Sequence, residues 1–377
     1  MKVAIIGGGP AGLYFACYLK TLKQNCDITI LEAQHESMNA FGLGYTLQKL
    51  DMILLERMDA DYYEHLFSEE STPIITKALF KTNHQQRTLP FSEGFSVTRH
   101  GLLSYLKNRA LSLGVKIVNK KVLPRELIKL QKKYDLVIAA DGISSIARNT
   151  YKEEFKTKEH KAKLKFSWFT NETPQERSEA CFYAFHSNEG VTLLTSYPLT
   201  KNKQVVVIEM TDQCLESGSL KNKTPTEAIP YLNNLLSENG DQFDLKPANL
   251  PWYTFKMNSA GQLNHKNLAL IGDAAYSFHY SAGQGVTTSF SMAFTLVQCL
   301  LKNEDIEFAL LHYSHSVNLL LAEPAKKSLR HMNWFENMDQ HFNNTDSKNW
   351  LDLFLQKDEF NALKKPSKAR CNTSNCR

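Results

Sequence analysis

The stretch VAIIGGGPAGLYFACYL, residues 3–19, decides the fold. It begins with a short uninterrupted apolar run of the kind that forms a buried parallel strand. Gly7, Gly9 and Gly12 follow in the order Gly-x-Gly-x-x-Gly, and a helical stretch comes next. In a nucleotide-binding βαβ unit the first glycine makes the tight turn, the second admits a pyrophosphate and the third allows close helix packing. The pattern therefore predicts such a unit at the start of the chain.

A carboxylate stands where this unit would need one. A second apolar strand, residues 27–31, runs into Glu32, which is 20 residues beyond Gly12. A carboxylate at this position binds ribose hydroxyls and disfavours a ribose that carries a 2′-phosphate. The pattern predicts FAD or NAD(H) as the ligand. The alternative interpretation is a glycine-rich turn followed by an exposed glutamate.

The composition is that of an ordinary folded protein. Of 377 residues, 42% are apolar and 22% are charged, which excludes a wholly disordered or fibrous chain. The net charge of +5 is small, and basic residues cluster only in the tail at 364–377, so we expect no nucleic-acid partner. Seven cysteines without a C-x-x-C pair favour neither a zinc cluster nor a disulfide framework. We therefore expect no metal site and a cytoplasmic location.

The uncharged start of the chain resembles a signal peptide or a membrane anchor only superficially. Residues 3–19 are fewer than the about 20 apolar residues that a spanning helix needs, and glycines and Pro10 interrupt them. No other stretch approaches that length. We expect no transmembrane segment.

Two further motifs follow buried strands. The segment DLVIAADGISSIAR, residues 135–148, delivers Asp141 into a glycine turn and continues to Arg148. The segment LALIGDAAYSFHYSAGQG, residues 268–285, presents Asp273 and then a glycine-rich loop before a long apolar helix. An aspartate there can bind a polyol, and the helix N-terminus favours a developing anion. Alone, either motif could be an ordinary turn at the end of a strand.

The three motifs in this order resemble the flavin-dependent aromatic hydroxylases with the p-hydroxybenzoate hydroxylase fold, over about residues 1–340. The resemblance implies noncovalent FAD, with NADH or NADPH as co-substrate. It implies that the first motif binds the ADP part of FAD and that Asp141 serves both FAD and the nicotinamide cofactor. It also implies that Asp273 binds the ribitol chain and that Gly283 and Gly285 lie beside the isoalloxazine ring. The implied cofactor-binding residues are Gly7, Gly9, Ala11, Gly12, Glu32, Arg99, Val122, Asp141, Asp273, Gly283 and Gly285.

A narrower resemblance rests on three segments, FGLGYTL, FHYSAGQG and RHMNWFENM. They are similar to the violacein-pathway tryptophan or indole hydroxylases and to the salicylyl-CoA hydroxylases. This chain has His279 and Tyr280 where the wider family has prolines, and Met292-Ala293 where that family has Asp-Ala. We expect His279 or Tyr280 to be catalytic, as a hydrogen-bonding group or proton relay beside the flavin. The alternative for His279 is a packing or capping role. His100 and His186 are weaker candidates, and for each we expect a solvated or structural role.

The implied fold is α/β, with a Rossmann-like FAD-binding domain and parallel sheet, an inserted mostly antiparallel β-sheet substrate domain, and a helical C-terminus. We expect residues 50–68 to be helical and residues 73–97 to form short β pieces. Aromatic residues that alternate along the middle sheet could be core or could line the substrate site: Trp168, Phe169, Phe182, Tyr183 and Phe185. The predicted domains are FAD-binding (1–72, 98–158 and 259–305), substrate-binding (73–97 and 159–258), C-terminal helices (306–363) and a basic tail (364–377).

The resemblance implies an FAD-dependent monooxygenase that hydroxylates an aromatic ring through a C4a-hydroperoxyflavin, using NAD(P)H and O₂. The expected substrate is small and either indole- or tryptophan-derived or of the aryl-CoA type. Two alternatives stay open: a catalytically silent FAD-binding protein that shields a reactive intermediate, and a flavin-fold reductase. The sequence leaves the oligomeric state open.

Overall fold

The computed structural model describes residues 1–33, 43–67, 73–172, 178–217, 220, 222–241, 243–248, 250–279 and 283–355. In chain order its strands are β1 (Lys2–Ile6), β2 (Asp27–Glu32), β3 (Gly44–Gln48), β4 (Ile74–Thr82), β5 (Gln86–Thr98), β6 (Lys116–Asn119), β7 (Leu136–Ala139), β8 (Thr157–Glu172), β9 (Glu179–Ser187), β10 (Gly190–Thr200), β11 (Lys203–Met210), β12 (Leu245–Pro247), β13 (Tyr253–Ala260), β14 (Asn264–His265) and β15 (Leu268–Leu270).

The helices lie between these strands and after them. They are α1 (Pro10–Leu22), α2 (Lys49–Met58), α3 (Tyr62–Phe67), α4 (Arg99–Ser112), α5 (Leu127–Lys133), α6 (Ile146–Thr150), α7 (Asp212–Ser217), α8 (Pro225–Glu238), α9 (Gly285–Lys302), α10 (Ile306–Glu336), α11 (Met338–Asn343) and α12 (Trp350–Leu355). In the described part of the chain, none of these helices is long and apolar enough to cross a membrane.

The first sheet has six strands in the order β14-β15-β7-β1-β2-β6. All of its pairs are parallel except β14–β15, and Val3 of β1 lies opposite Ile28 of β2 and Leu136 of β7. Residues 3–6 are buried on both sides, as their uninterrupted apolar sequence predicts. Because parallel strands end at one edge, the segments that follow β1, β2, β7 and β15 lie side by side there.

Helices α1 and α9 pack against each other beside this sheet. Tyr14 of α1 stacks on Phe290 of α9 with 4.6 Å between ring centroids, and Tyr18 stacks on Phe294 at 5.3 Å. Offset aromatic pairs of this kind add to the free energy gained by burying their apolar surface. The contact fixes the position of α9, and therefore of its N-terminus, relative to the glycine turn that precedes α1.

The second sheet has nine strands, in the order β12-β8-β11-β10-β9-β4-β5-β3, with β13 also paired to β8. Its pairs are antiparallel apart from β4–β9. Strand β3 belongs here because Gly44 pairs with Thr98 of β5, although the predicted domains place residues 1–72 wholly with the FAD-binding segments. The segment at 73–97 is two long strands rather than short pieces, and the helix at 50–68 is divided into α2 and α3.

The two faces of this sheet have different roles. On one face Phe169, Tyr183 and Phe185 pack in a cluster with α8, so these three aromatic residues are core. The opposite face, which we call the inner face, carries Trp168 and Phe166 together with residues of β11 and β13. Phe182 belongs to a third cluster, against the C-terminal helices.

We predict that Gly12→Ala destabilises the protein, because a Cβ at Gly12 would lie 2.2 Å from the carbonyl oxygen of Gly7. The expected loss is about 1–3 kcal/mol of unfolding free energy, as for other overpacked sites. Gly9→Ala is the matched control, since a Cβ there meets nothing within 4 Å and its φ is −77°. Urea unfolding of the cofactor-free protein measures both. Equal stability of the two variants would contradict the close contact.

Candidate functional site

The carboxyl edge of the six-stranded sheet brings the expected cofactor-binding residues together. The glycine turn follows β1, Glu32 ends β2, Asp141 follows β7, and Asp273 follows β15. The Glu32 carboxylate accepts a hydrogen bond from the Gly8 amide, so it already lies over the turn. The order of the strands within the sheet, rather than their order along the chain, places these residues side by side in one groove.

The glycine turn leaves space for a phosphate group. Gly7 has a φ of +101°, and a Cβ there would lie 2.4 Å from the carbonyl oxygen of Ala140, so only glycine fits. Gly9 has ordinary extended backbone, and the space where its Cβ would lie is open. Gly9 is the N-cap of α1 and Ala11 is buried in its first turn. An anion can therefore approach the free amides at the N-terminus of α1.

Arg148 joins the second and third motifs. It is almost fully buried, and its guanidinium donates hydrogen bonds to the carbonyl oxygens of Asp273 at 3.2 Å, Ala274 at 2.9 Å and Ile143. Burial lowers its pKa, and the nearby carboxylates oppose this shift. The sequence shows Arg148 in the second motif but gives no sign of these partners. Arg148 therefore holds the two loops of the groove against one another.

Two aspartates line the groove in different ways. Asp141 accepts a hydrogen bond from the Ile146 amide at 2.7 Å, and burial raises its pKa. The side chain of Asp273 is exposed to the open groove. The groove lies deep in the protein, however, and the loss of hydration raises the Asp273 pKa to about 6, against the opposing charges of Arg99 and Arg148.

Arg99 connects the groove to the second sheet. It is the first residue of α4, and its backbone amide bonds to the Leu43 carbonyl oxygen at 3.0 Å. Its guanidinium donates to the Tyr45 hydroxyl and lies 5.5 Å from the centre of that ring. Burial raises the Tyr45 pKa to about 12, against the charge of Arg99. Tyr197 of β10 donates to the Gly44 carbonyl oxygen at 3.2 Å, so two tyrosines that the sequence did not single out stand at this junction.

The residues fit a flavin nucleotide. A Cβ at Gly9, Gly283 or Gly285 would meet no atom within 4 Å, and Gly283 has a φ of +60°. The buried Nε of Arg99 has no hydrogen-bond partner among the described residues, so a donor remains for a ligand. Val122 has a buried side chain on the loop after β6. Its expected role in binding the cofactor stays a prediction.

The structure encloses His279 rather than exposing it to the groove. Its side chain is 1% exposed, and Nε2 lies 3.4 Å from Oε1 of Glu209 on β11. The ring stacks on Phe335 at 5.3 Å and meets Phe255 edge-on at 5.0 Å. Tyr280, the other expected catalytic residue, lies outside the described residues. The catalytic roles of both stay predictions.

The other two histidines have local partners. Nε2 of His186 lies 2.7 Å from Asn343 Oδ1, at the contact with the C-terminal helices. His100 is exposed and lies 3.4 Å from the Ser104 hydroxyl. Among the described residues no three His, Cys, Asp or Glu side chains are placed to hold a metal ion.

Asp51 of α2 is a buried carboxylate that the sequence did not reveal. Its Oδ2 accepts hydrogen bonds from the Gln48 amide at 2.7 Å and from the Thr287 hydroxyl at 2.9 Å. Asp51 therefore links the first turn of α2 to the first turn of α9, the helix that begins at Gly285. Burial raises its pKa to about 6, against these hydrogen bonds.

We predict that Asp51→Asn changes how the stability of the cofactor-free protein depends on pH. The folded-state pKa is above the unfolded value of about 3.9, so the Asp51 contribution to stability is present at low pH and lost as pH rises through about 6. Relative to Asp51→Asn, the parent should lose about 2 kcal/mol between about pH 4.5 and pH 7.5. Urea unfolding across this range measures it, with exposed Asp27→Asn as control. Parallel curves for parent and Asp51→Asn would disprove the assignment.

Comparison with known proteins finds two nucleotide-binding domains in this chain. A model of the FAD binding domain matches residues 129–315, and a model of the NAD(P)-binding Rossmann-like domain matches residues 5–46. The chain is 26% identical over 321 residues to salicyloyl-CoA 5-hydroxylase from a Streptomyces species. That match covers 80% of this chain and 58% of the longer relative.

Other relatives match along nearly their whole length. Protodeoxyviolaceinate monooxygenase of Chromobacterium violaceum is 22% identical, with 90% of each chain covered. The tetrameric form of 2-methyl-3-hydroxypyridine-5-carboxylic acid oxygenase superposes with a TM-score of 0.69 at 19% identity, covering 93% of this chain and 95% of that one. The predicted fold class, the Rossmann-like FAD-binding domain included, is confirmed. The chain thus matches models of FAD-binding and NAD(P)-binding domains, and it is similar over most of its length to relatives that are named as a hydroxylase and a monooxygenase.

Proposed function

We propose that this protein is an FAD-dependent monooxygenase that hydroxylates an aromatic ring with NAD(P)H and O₂. The observation that carries the proposal is the junction between the nucleotide groove and the inner face. Arg99 reaches from the side of Asp273 to Tyr45 on β3, and Tyr45 lies beside Tyr197 on β10. A flavin held in the groove would therefore have its reacting end against an aromatic wall.

The groove offers a group for each part of FAD. The N-terminus of α1 at Gly9 suits the pyrophosphate, Glu32 the adenosine ribose, and Asp273 with Arg99 the ribitol chain. Gly283 and Gly285 leave room beside the isoalloxazine ring. When bound, FAD takes a hydride from NAD(P)H and activates O₂; the protein binds and orients the reactants and excludes water.

The inner face suits a flat apolar substrate. Trp168 and Phe166 stand edge to face at 5.1 Å, and Leu199 and Val207 complete an apolar patch beside Tyr197. These four residues are buried in one hydrophobic cluster, so we place the substrate ring at the edge of that cluster, against the partly buried Tyr197, where apolar surroundings would favour stacking and exclude water. Of the relatives, one is named for salicyloyl-CoA and one for protodeoxyviolaceinate. We propose that the substrate of this chain is likewise an aryl-CoA or an indole-derived compound.

The described cysteines favour a reducing compartment. The described cysteines Cys17, Cys26, Cys181, Cys214 and Cys299 are free thiols, and four of them are buried. Free thiols persist in a reducing environment. We propose that the enzyme works in the cytoplasm, where NAD(P)H is also supplied.

We predict that an aromatic substrate accelerates NAD(P)H oxidation by the FAD-loaded protein about tenfold or more. A tenfold effect needs only about 1.4 kcal/mol of preferential stabilisation of the reducing step. The measurement follows NAD(P)H absorbance, O₂ uptake, peroxide and product mass for a panel of indoles and aryl-CoA thioesters. A hydroxylated product formed one-to-one with NAD(P)H supports a monooxygenase.

Other outcomes identify the alternatives. Reduction of a ligand double bond without O₂ uptake would indicate a reductase. FAD binding without NAD(P)H consumption in the presence of any aromatic compound of the panel would indicate a catalytically silent binding protein. A purified protein that is colourless and ignores added FAD would contradict the flavin site itself.

We predict that Glu32→Ala and Asp273→Ala each weaken FAD binding by about one to two decades. Each change removes a hydrogen bond to a charged group, worth about 1.5–3 kcal/mol. Asp27→Ala is the matched control, because this exposed carboxylate lies at the opposite, amino end of β2 and pairs with Lys116. Quenching of flavin fluorescence gives the three dissociation constants. Equal affinities in all three variants would place the nucleotide elsewhere.

A further inference from the structure

We propose that Glu209 is a positioning residue for the flavin end of the site. It holds His279, and through it the segment at 272–279 that carries Asp273, against the inner face of the nine-stranded sheet. The proposal rests on the proposed function, because it gives Glu209 a role toward the bound flavin. It adds a residue on β11 that belongs to none of the three nucleotide motifs.

The pair is enclosed on every described side. His279 Nε2 lies 3.4 Å from Glu209 Oε1, and the two side chains are 1% and 2% exposed. Phe335 of α10 stacks on the imidazole, and Phe255 of β13 meets its edge. The His279 amide donates to the Ser328 hydroxyl of α10 at 2.8 Å. An ionisable side chain so far from water requires a partner of opposite character, and Glu209 and His279 provide this for each other.

The segment around His279 is attached to three different elements. Two residues earlier, the Ser277 hydroxyl accepts from the Asn258 amide at 2.8 Å and donates to the Lys256 carbonyl oxygen at 3.1 Å, both on β13. His279 then contacts β11 through Glu209, at 3.4 Å, and its amide bonds to α10 through Ser328. The Glu209 contact joins this segment to a central strand of the substrate sheet. The pair thus links the position of the inner face to the segment that carries Asp273.

Asp273, the expected ribitol-binding residue, lies six residues before His279 in the same segment. The contacts of Ser277 with β13 and of His279 with β11 and α10 therefore hold the stretch that runs from Asp273 to His279. On the far side, Asp273 is fixed by the bonds of Arg148 to its own backbone and to Ala274.

Glu209 is an unusual residue for its strand. The sequence of β11 is KQVVVIEM, and the side chains from Gln204 to Met210 are buried. By alternation Glu209 shares the inner face with Val205 and Val207, opposite Phe166 of β8. An apolar residue there would bury more surface at no electrostatic cost. A carboxylate at this place is consistent with a specific role, and His279 lies 3.4 Å from it.

The test uses Glu209→Gln, which keeps the shape of the side chain and removes its charge, and Glu209→Asp, which keeps the charge and shortens the reach. His279→Gln and the double variant Glu209→Gln/His279→Gln complete a cycle. Asp241→Asn is the matched control, because it breaks a 2.6 Å ion pair with Lys81 in the same sheet, away from the groove. The readouts are the FAD dissociation constant, the visible circular dichroism of bound flavin, and the peroxide released per NAD(P)H.

We expect Glu209→Gln to raise the FAD dissociation constant about threefold or more, to change the flavin dichroism and to increase the peroxide fraction. Glu209→Asp should show the same changes to a smaller degree, and the double variant should be no worse than either single variant. Asp241→Asn should leave all three readouts unchanged.

Three results would overturn the proposal. The first is a Glu209→Gln protein that matches Asp241→Asn in dichroism and peroxide fraction. The second is additive effects of Glu209→Gln and His279→Gln. The third is FAD loss that follows loss of folded protein, read by far-ultraviolet dichroism. If the parent protein itself binds no FAD, the proposed function fails first; if the parent binds FAD and couples well, any of these results concerns Glu209 alone.

Discussion

The contact between Gly7 and Gly12 is the constraint on which the rest of the structure depends. Because Gly12 has no side chain, α1 approaches the Gly7 carbonyl oxygen at the end of β1 closely enough for its free amides to face the carboxyl edge of the sheet. The stacking of α1 on α9 then fixes α9, and the N-terminus of α9 reaches the same edge. The groove is thus a consequence of packing in the first domain.

The site arises where this groove meets the second sheet. Two contacts make the junction, Arg99 with Tyr45 and Glu209 with His279, while Arg148 holds the second and third motifs of the groove together. Each contact involves an ionisable group that is partly or fully buried, where electrostatic interactions are stronger than in water.

The sequence predicts the groove well because its residues follow strand ends. Gly7, Glu32 and Asp273 each come directly after, or at the end of, an apolar run, and parallel strands end at one edge. Contacts across the fold leave no such pattern. Arg148 bonds to a residue 125 positions away, because β7 and β15 are neighbours in the first sheet. Glu209 meets a histidine 70 positions away, because the second sheet packs against the segment after β15. The assignment of Tyr45 to the second sheet likewise depends on its pairing with Val97.

The most direct test of the account is the electron density of a crystal of this protein grown with FAD and a bound aromatic ligand. The account predicts the pyrophosphate at the amides that follow Gly9, the adenosine ribose on Glu32, and the isoalloxazine ring between Gly285 and the inner face at Tyr197. The aromatic ligand should lie on that face. Density for the nucleotide at another edge of the sheet, or for the aromatic ligand on the α8 side, would contradict it.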